Sequence, residues 1–157
     1  MADGLAFSAR GHNPPESIRR LIYNLWVSGE IQLPPIDADL QPWADRGVLL
    51  LNTALTVEPA PTKPERERNL RRHQAVYKKL IRHVLELTSR QVEPPGYILL
   101  GSEARKFRDA IHATDAHQVI QAQHPSRGPW PGPRDEPHPF AAMNSYLGHR
   151  AIDWSLK

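Results

Sequence analysis

Cysteine is absent from the 157-residue chain. That one absence removes disulfides, thiolate catalysis and cysteine-ligated zinc together, and a reducing interior compartment is compatible with it. No apolar run approaches the roughly 20 residues that span a bilayer. Met1 is followed by Ala2, Asp3 and Gly4, without the basic and apolar stretches of a secretory signal. The expectation is a protein that is neither secreted nor membrane-bound, cytoplasmic or, in a eukaryote, nuclear. His73, His83, His112, His117, His138 and His149 fall into no metal-ligand spacing such as His-Glu-x-x-His, so no metal and no cofactor is expected.

What is present is enough for a core. Apolar residues make up 39% of the chain, which argues against disorder, and the length suits a single domain over residues 1–157. The formal net charge of +3 and a sequence pI near 9.4 favour polyanionic partners, because Lys and Arg release condensed counterions when they meet phosphate. Many soluble proteins are equally basic without such a partner. The sixteen prolines gather at Pro14-Pro15, Pro34-Pro35, positions 59–64, Pro94-Pro95 and positions 125–139. Each fixes φ and removes a donor, which marks rigid loops and element boundaries.

Hydrophobic spacing predicts a helix over 16–28, with Ile18, Leu21, Ile22, Leu25 and Trp26 in phase and Gly29 at its end. A short helix over 40–46 stops at Gly47. Residues 48–51 form an apolar run ending at Asn52, the pattern of a buried parallel strand. An amphipathic helix follows over 69–88, turning Leu70, Tyr77, Leu80, Ile81, Val84 and Leu85 inward. A second strand is expected at 97–100, a helix at 103–112, a third strand at 117–121 and a last helix at 140–147. Strands alternating with helices imply a parallel sheet, and ligands of such sheets bind beyond the carboxyl ends of the strands. The polar residues there are Asn52, Gly101-Ser102 and His124.

Six motifs then stand in order: Gly4-Leu5-Ala6-Phe7-Ser8; Pro14-Pro15 with Ser17; Trp43-Ala44 leading to Gly47-Val48-Leu49-Leu50-Leu51-Asn52-Thr53; Gly101-Ser102; His124-Pro125-Ser126; and Ile152-Asp153-Trp154. In order and approximate spacing the chain resembles the family-1 uracil-DNA glycosylases over nearly its whole length. The resemblance implies a three-layer α/β fold around a short central parallel sheet. It also implies hydrolysis of the N-glycosidic bond of a deoxyuridine flipped out of single- or double-stranded DNA, the first step of base excision repair. Phe7 would stack on the uracil. Asn52 would read its edge, offering one donor to O4 and one acceptor to N3–H, a pattern that cytosine reverses. His124 would donate to O2 as negative charge develops on the leaving base. Ser17, Gly101, Ser102 and Ser126 would hold the DNA backbone, Ser102 near a helix N-terminus. A monomer is expected.

Each motif alone has a plainer reading: Phe7 as core, Asn52 as a turn former, Pro14-Pro15 with Ser17 as a rigid helix start, His124-Pro125-Ser126 as a loop. The ordered set is what overturns these. For Arg66, Arg68, Arg71, Arg72, Lys78, Lys79 and Arg82 a solvated helix face is favoured over a DNA track.

The chain also departs from the family. A Gly-Gln-Asp-Pro-Tyr-His type motif, whose Asp positions the hydrolytic water and whose Tyr excludes the thymine methyl, has no equivalent here, and Met1 falls just after its expected place. Asp3 matches the loop that follows and is not a substitute. A strand beside 48–51 is expected to be missing with that motif, leaving unpaired backbone and an apolar face. After Ser126 the family's Pro-Leu-Ser is replaced by Arg127-Gly128-Pro129-Trp130, so the wedge into the base stack falls to Arg127 or Trp130. Residues 58–69 are charged where the family has His and Gly-Trp, and Leu100 stands where it often has Trp. Three readings follow: a uracil-excising hydrolase active only with upstream residues, a non-catalytic DNA-binding remnant that keeps the pocket, and an unrelated basic domain. The coding sequence upstream of Met1 separates the first two.

Overall fold

The structure is a computed structural model that describes residues 4–9, 11, 13–32, 38–93, 95–112, 119–127 and 138–156. Its helices are α1 (Glu16–Val27), α2 (Gln41–Asp45), α3 (Lys63–Ser89), α4 (Ser102–Arg105) and α5 (Pro139–Leu147), with single 3₁₀ turns at Arg108–Ala110 and Gly148–Arg150. Strands β1 (Tyr97–Leu100) and β2 (Val119–Ala122) pair in parallel, Tyr97 opposite Val119 and Leu100 opposite Ala122.

Period-two alternation along β1 builds the layers. Ile98 and Leu100 pack on one apolar cluster, with α1, Leu40, Trp43, Phe140 and Trp154. Tyr97 and Leu99 belong to the other, with Ile81 and Leu85 of α3, Phe107 and Ile111. The three-layer α/β arrangement expected from the sequence is therefore present. Two residues of the recognised motifs turn out to be staples of the first cluster: the Trp43 indole N–H donates to the Trp154 carbonyl at 2.8 Å, and their rings meet edge to face.

The expected strand at 48–51 is extended but is not a strand. Strand status needs a ladder of backbone bonds, and among the described residues this segment has isolated ones: Val48 N–H donates back to Trp43, and Leu50 accepts from Ala6 N–H at 3.0 Å. Its side chains still alternate, Val48 and Leu50 towards the first cluster and Leu51 towards the second. Leu49 is 62% exposed and borders an open apolar groove of about 450 Å³ that Gly4, Leu5, Ala44 and Leu55 also line.

Other expectations need correction. α3 starts six residues early because Thr62 and Glu65 form a capping box, a Thr-x-x-Glu signal readable in the sequence. Leu70 and Leu80 were expected inside but are 40% and 47% exposed, because the first two-thirds of α3 buries none of its residues. Trp26 is likewise 41% exposed, meeting Tyr23 edge to face at the surface. The helix expected over 103–112 breaks into α4 and a 3₁₀ turn; packing of Phe107, Ala110 and Ile111 against α3 overrides local propensity. The start of the third strand at His117 and most of the loop from 125 to 139 lie outside the described residues.

Candidate active site

The loop 4–8 is fixed at both ends by specific bonds. Ala6 N–H donates to Leu50, Ala9 N–H donates to Ala38 at 3.0 Å, and the buried Ser8 hydroxyl accepts from Leu40 N–H at 3.0 Å. Between these anchors Phe7 is forced to φ +66°, a left-handed conformation that bulky residues rarely adopt and that persists only where surroundings impose it. The strain has a result: the half-buried Phe7 ring lies 5.3 Å from the His124 ring, tilted by 36°.

His124 follows β2. Its Nδ1 lies 2.7 Å from the Ser126 hydroxyl and accepts the Ser126 backbone N–H at 3.1 Å. An amide can only donate, so Nδ1 carries no proton, and the neutral ring bears its proton on Nε2. Burial, and secondly the Arg127 charge, hold the pKa of His124 below its ordinary value. The ring is thus kept neutral, with Nε2–H as a donor. Ser126, expected to hold DNA, spends its hydroxyl on orienting this imidazole.

Gly101 ends β1 and stands against the same ring. Its φ of +92° and ψ of 170° suit glycine alone, and a Cβ there would sit 2.9 Å from the His124 Cβ. The resemblance implies that Gly101 holds the DNA backbone; no local sequence pattern signals its close packing on His124. Ser102 is exposed at the start of α4, but α4 has four residues, so its dipole is small.

Asn52 lies two residues beyond Leu50, whose carbonyl accepts from the N–H of Ala6, the residue before Phe7. Asn52 is exposed and makes no hydrogen bond among the described residues, which leaves its amide open to a ligand. Ser17 is half-buried in the first turn of α1. Arg127 is exposed beside His124, its N–H donating to the His124 carbonyl at 2.9 Å; Trp130 lies outside the described residues. Phe7, Gly101, His124 and Ser126 therefore form one group in contact, while Asn52, Ser17 and Ser102 touch none of them through any described hydrogen bond. Among the described residues no three His, Asp or Glu side chains could hold a metal ion, and no helix is long and apolar enough to cross a membrane.

The chain is similar to known proteins over almost all its length. It is 33% identical to the uracil-DNA glycosylase of Bacillus licheniformis, covering 99% of this chain and 67% of that protein. With the enzyme of the same name from Shouchella clausii it shares 32% identity over 99% of this chain and 65% of the relative. For that of Lactococcus lactis subsp. lactis the figures are 35%, 98% and 68%. The chain thus spans about two-thirds of the length of the curated relatives it matches. Among solved structures, that of mimivirus uracil-DNA glycosylase superposes with a TM-score of 0.73 at 22% identity, over 98% of this chain and 60% of the other. A mimivirus UNG variant in complex with UGI gives 0.76 at 20% identity, over 98% and 61%. No protein-family model matches the chain.

Proposed function

This chain belongs to the uracil-DNA glycosylase family, and on that premise we propose that it binds a deoxyuridine swung out of DNA and stabilises the departing uracil. The observation that carries this reading is the His124 group. A neutral imidazole, fixed by Ser126 with Nε2–H free and packed on the Phe7 ring, is a preorganised donor next to a stacking surface. Negative charge appears on the base oxygen as the glycosidic bond breaks, so a fixed donor is worth more in the transition state than in the ground state. A neutral donor suits the task, because it does not already bind the uncharged base as an ion. Phe7 supplies the face on which the base stacks. The free amide of Asn52 reads the uracil edge; cytosine would leave both of its groups mismatched, at a cost of about 1–3 kcal/mol.

Hydrolysis also requires an attacking water to be positioned, and among the described residues none of the groups in contact at this site is a carboxylate. The 157-residue chain accordingly excises uracil extremely slowly or not at all. Two measurements test the reading: binding of a short single-stranded oligonucleotide carrying uracil or thymine, and release of free uracil from it. Uracil-dependent binding that His124→Ala and Phe7→Ala weaken little and strongly, respectively, supports the assignment. Equal binding of both oligonucleotides would remove the pocket, and rapid uracil release would mean that another residue positions the water.

A further inference from the structure

The 27 residues of α3 carry eight Lys or Arg against three Glu, hence +5, while the whole chain carries +3. The other residues together are therefore at −2, and this helix holds all of the excess positive charge. The charge is also directional. At about 100° per residue, Arg68, Arg71, Arg72, Lys78, Lys79 and Arg82 fall within an arc of about 120°, beside the buried line of Ile81 and Leu85. From Arg68 to Arg82 the stripe runs about 21 Å at the helical rise.

Two of these cations are already neutralised, Arg72 by Glu58 and Arg82 by Asp109, whose two oxygens accept at 2.9 and 3.1 Å. Arg68, Arg71, Lys78 and Lys79 are exposed; no hydrogen bond or ion pair holds them among the described residues, although Lys78 also feels the charge of Asp109. The helix that carries the stripe is joined, on its buried side, to the segment next to Asn52. Gln74, between Arg71 and Lys78, donates to the Thr53 hydroxyl at 3.1 Å, and Thr53 adjoins Asn52. The strap that carries Thr53 is held to the same helix where Thr56 meets His73 and Tyr77.

We infer that Arg68, Arg71, Lys78 and Lys79 of α3 form a second DNA contact, a track for the phosphates of the strand flanking the extruded base on the Asn52 side. The inference rests on the reading of the site as a uracil pocket. A membrane would need apolar side chains level with the cations, but the exposed Val76, Leu80 and Leu87 lie on another side of the helix. One exposed cation per turn or so, on the helix that holds the segment next to Asn52, fits a phosphate backbone.

The test compares the parent chain with R68Q/R71Q/K79Q, all surface substitutions outside the pocket, with helicity checked by circular dichroism. Fluorescence anisotropy follows binding to single strands of about 3 and about 30 nucleotides, each with one uracil, across a salt series. Each phosphate contact on a single strand contributes about 0.7 to the slope of log affinity against log salt. The variant is expected to lose about 2 from that slope on the long strand and on the order of 10²-fold in affinity at about 50 mM salt. Its binding to the short strand is unchanged. Equal slopes for parent and variant on the long strand overturn the track while short-strand binding leaves the pocket standing. Failure of the parent on both strands overturns the pocket reading and the track with it. Retained DNA binding with lost binding to vesicles of anionic phospholipid would make the stripe a membrane contact and overturn the proposal.

Discussion

Replacing Gly101 by alanine perturbs the chain and the site at one atom. At φ +92° and ψ 170° an L-residue is strained by about 1–3 kcal/mol from the backbone alone. The added Cβ would also lie 2.9 Å from the His124 Cβ and 3.4 Å from its Cδ2, where carbon atoms prefer about 3.5–4.0 Å. Gly101 cannot simply retreat, because its N–H bonds to Ala122 at 2.9 Å and its carbonyl accepts from Arg105 at 3.1 Å. The imidazole must therefore move by roughly 0.5–1 Å, a displacement that matters for a catalytic group. With a urea m-value of about 1–3 kcal/mol/M, the midpoint should fall by roughly 1 M at unchanged m, and the His124 ring resonances should shift. Gly47→Ala separates the two effects: Gly47 has φ +88° but nothing within 4 Å of an added Cβ, so it should lose stability without moving those resonances. A Gly101→Ala protein matching the parent in both midpoint and His124 resonances would refute the argument.

Three further outcomes are expected. His124 should titrate below about 6.5 by NMR, because burial and then Arg127 lower its pKa. The unfolded chain then binds more protons, so the contribution of His124 to stability is full above that pH and lost as pH falls through the folded value; Arg127→Gln should raise the pKa while burial keeps it below the ordinary value, and titration at or above 6.5 in the parent would contradict this. In a chimaera that restores the Gly-Gln-Asp-Pro-Tyr-His type segment of a relative, His124→Ala should slow single-turnover excision by on the order of 10²–10³ with little change in binding, and Asn52→Asp should lower uracil excision and admit weak cytosine excision. Loss of binding with an intact chemical step would make the His124-Pro125-Ser126 loop a DNA-positioning element only. Thr62→Ala removes the α3 cap, exposed in this chain, and should destabilise by about 0.5–2 kcal/mol in denaturant melts; no change would show that the capping box contributes nothing to stability.

The sequence by itself determined the layer order and the family. Alternating apolar residues in Tyr97–Leu100 can only serve two cores, and the period-3.6 runs of α1 and of the second half of α3 can only face one. The positions after the expected strands made Asn52, Gly101 and His124 the candidates, because a parallel sheet offers its ligands the carboxyl ends of its strands. What tertiary structure decided was everything that depends on a partner distant in sequence. Residues 48–51 have the composition of a strand, but a ladder is made by neighbours, and among the described residues this segment has isolated bonds, from Ala6 to Leu50 and from Val48 to Trp43. Leu70, Leu80 and Trp26 have apolar side chains in helical phase, yet burial needs an opposing surface, and none covers them. The strained Phe7 backbone, the imidazole whose tautomer the Ser126 amide sets, and the glycine that admits it depend on contacts that form only in the folded chain. No local pattern encodes these, because each residue's energy there is set by an atom that the chain brings close only once it has folded.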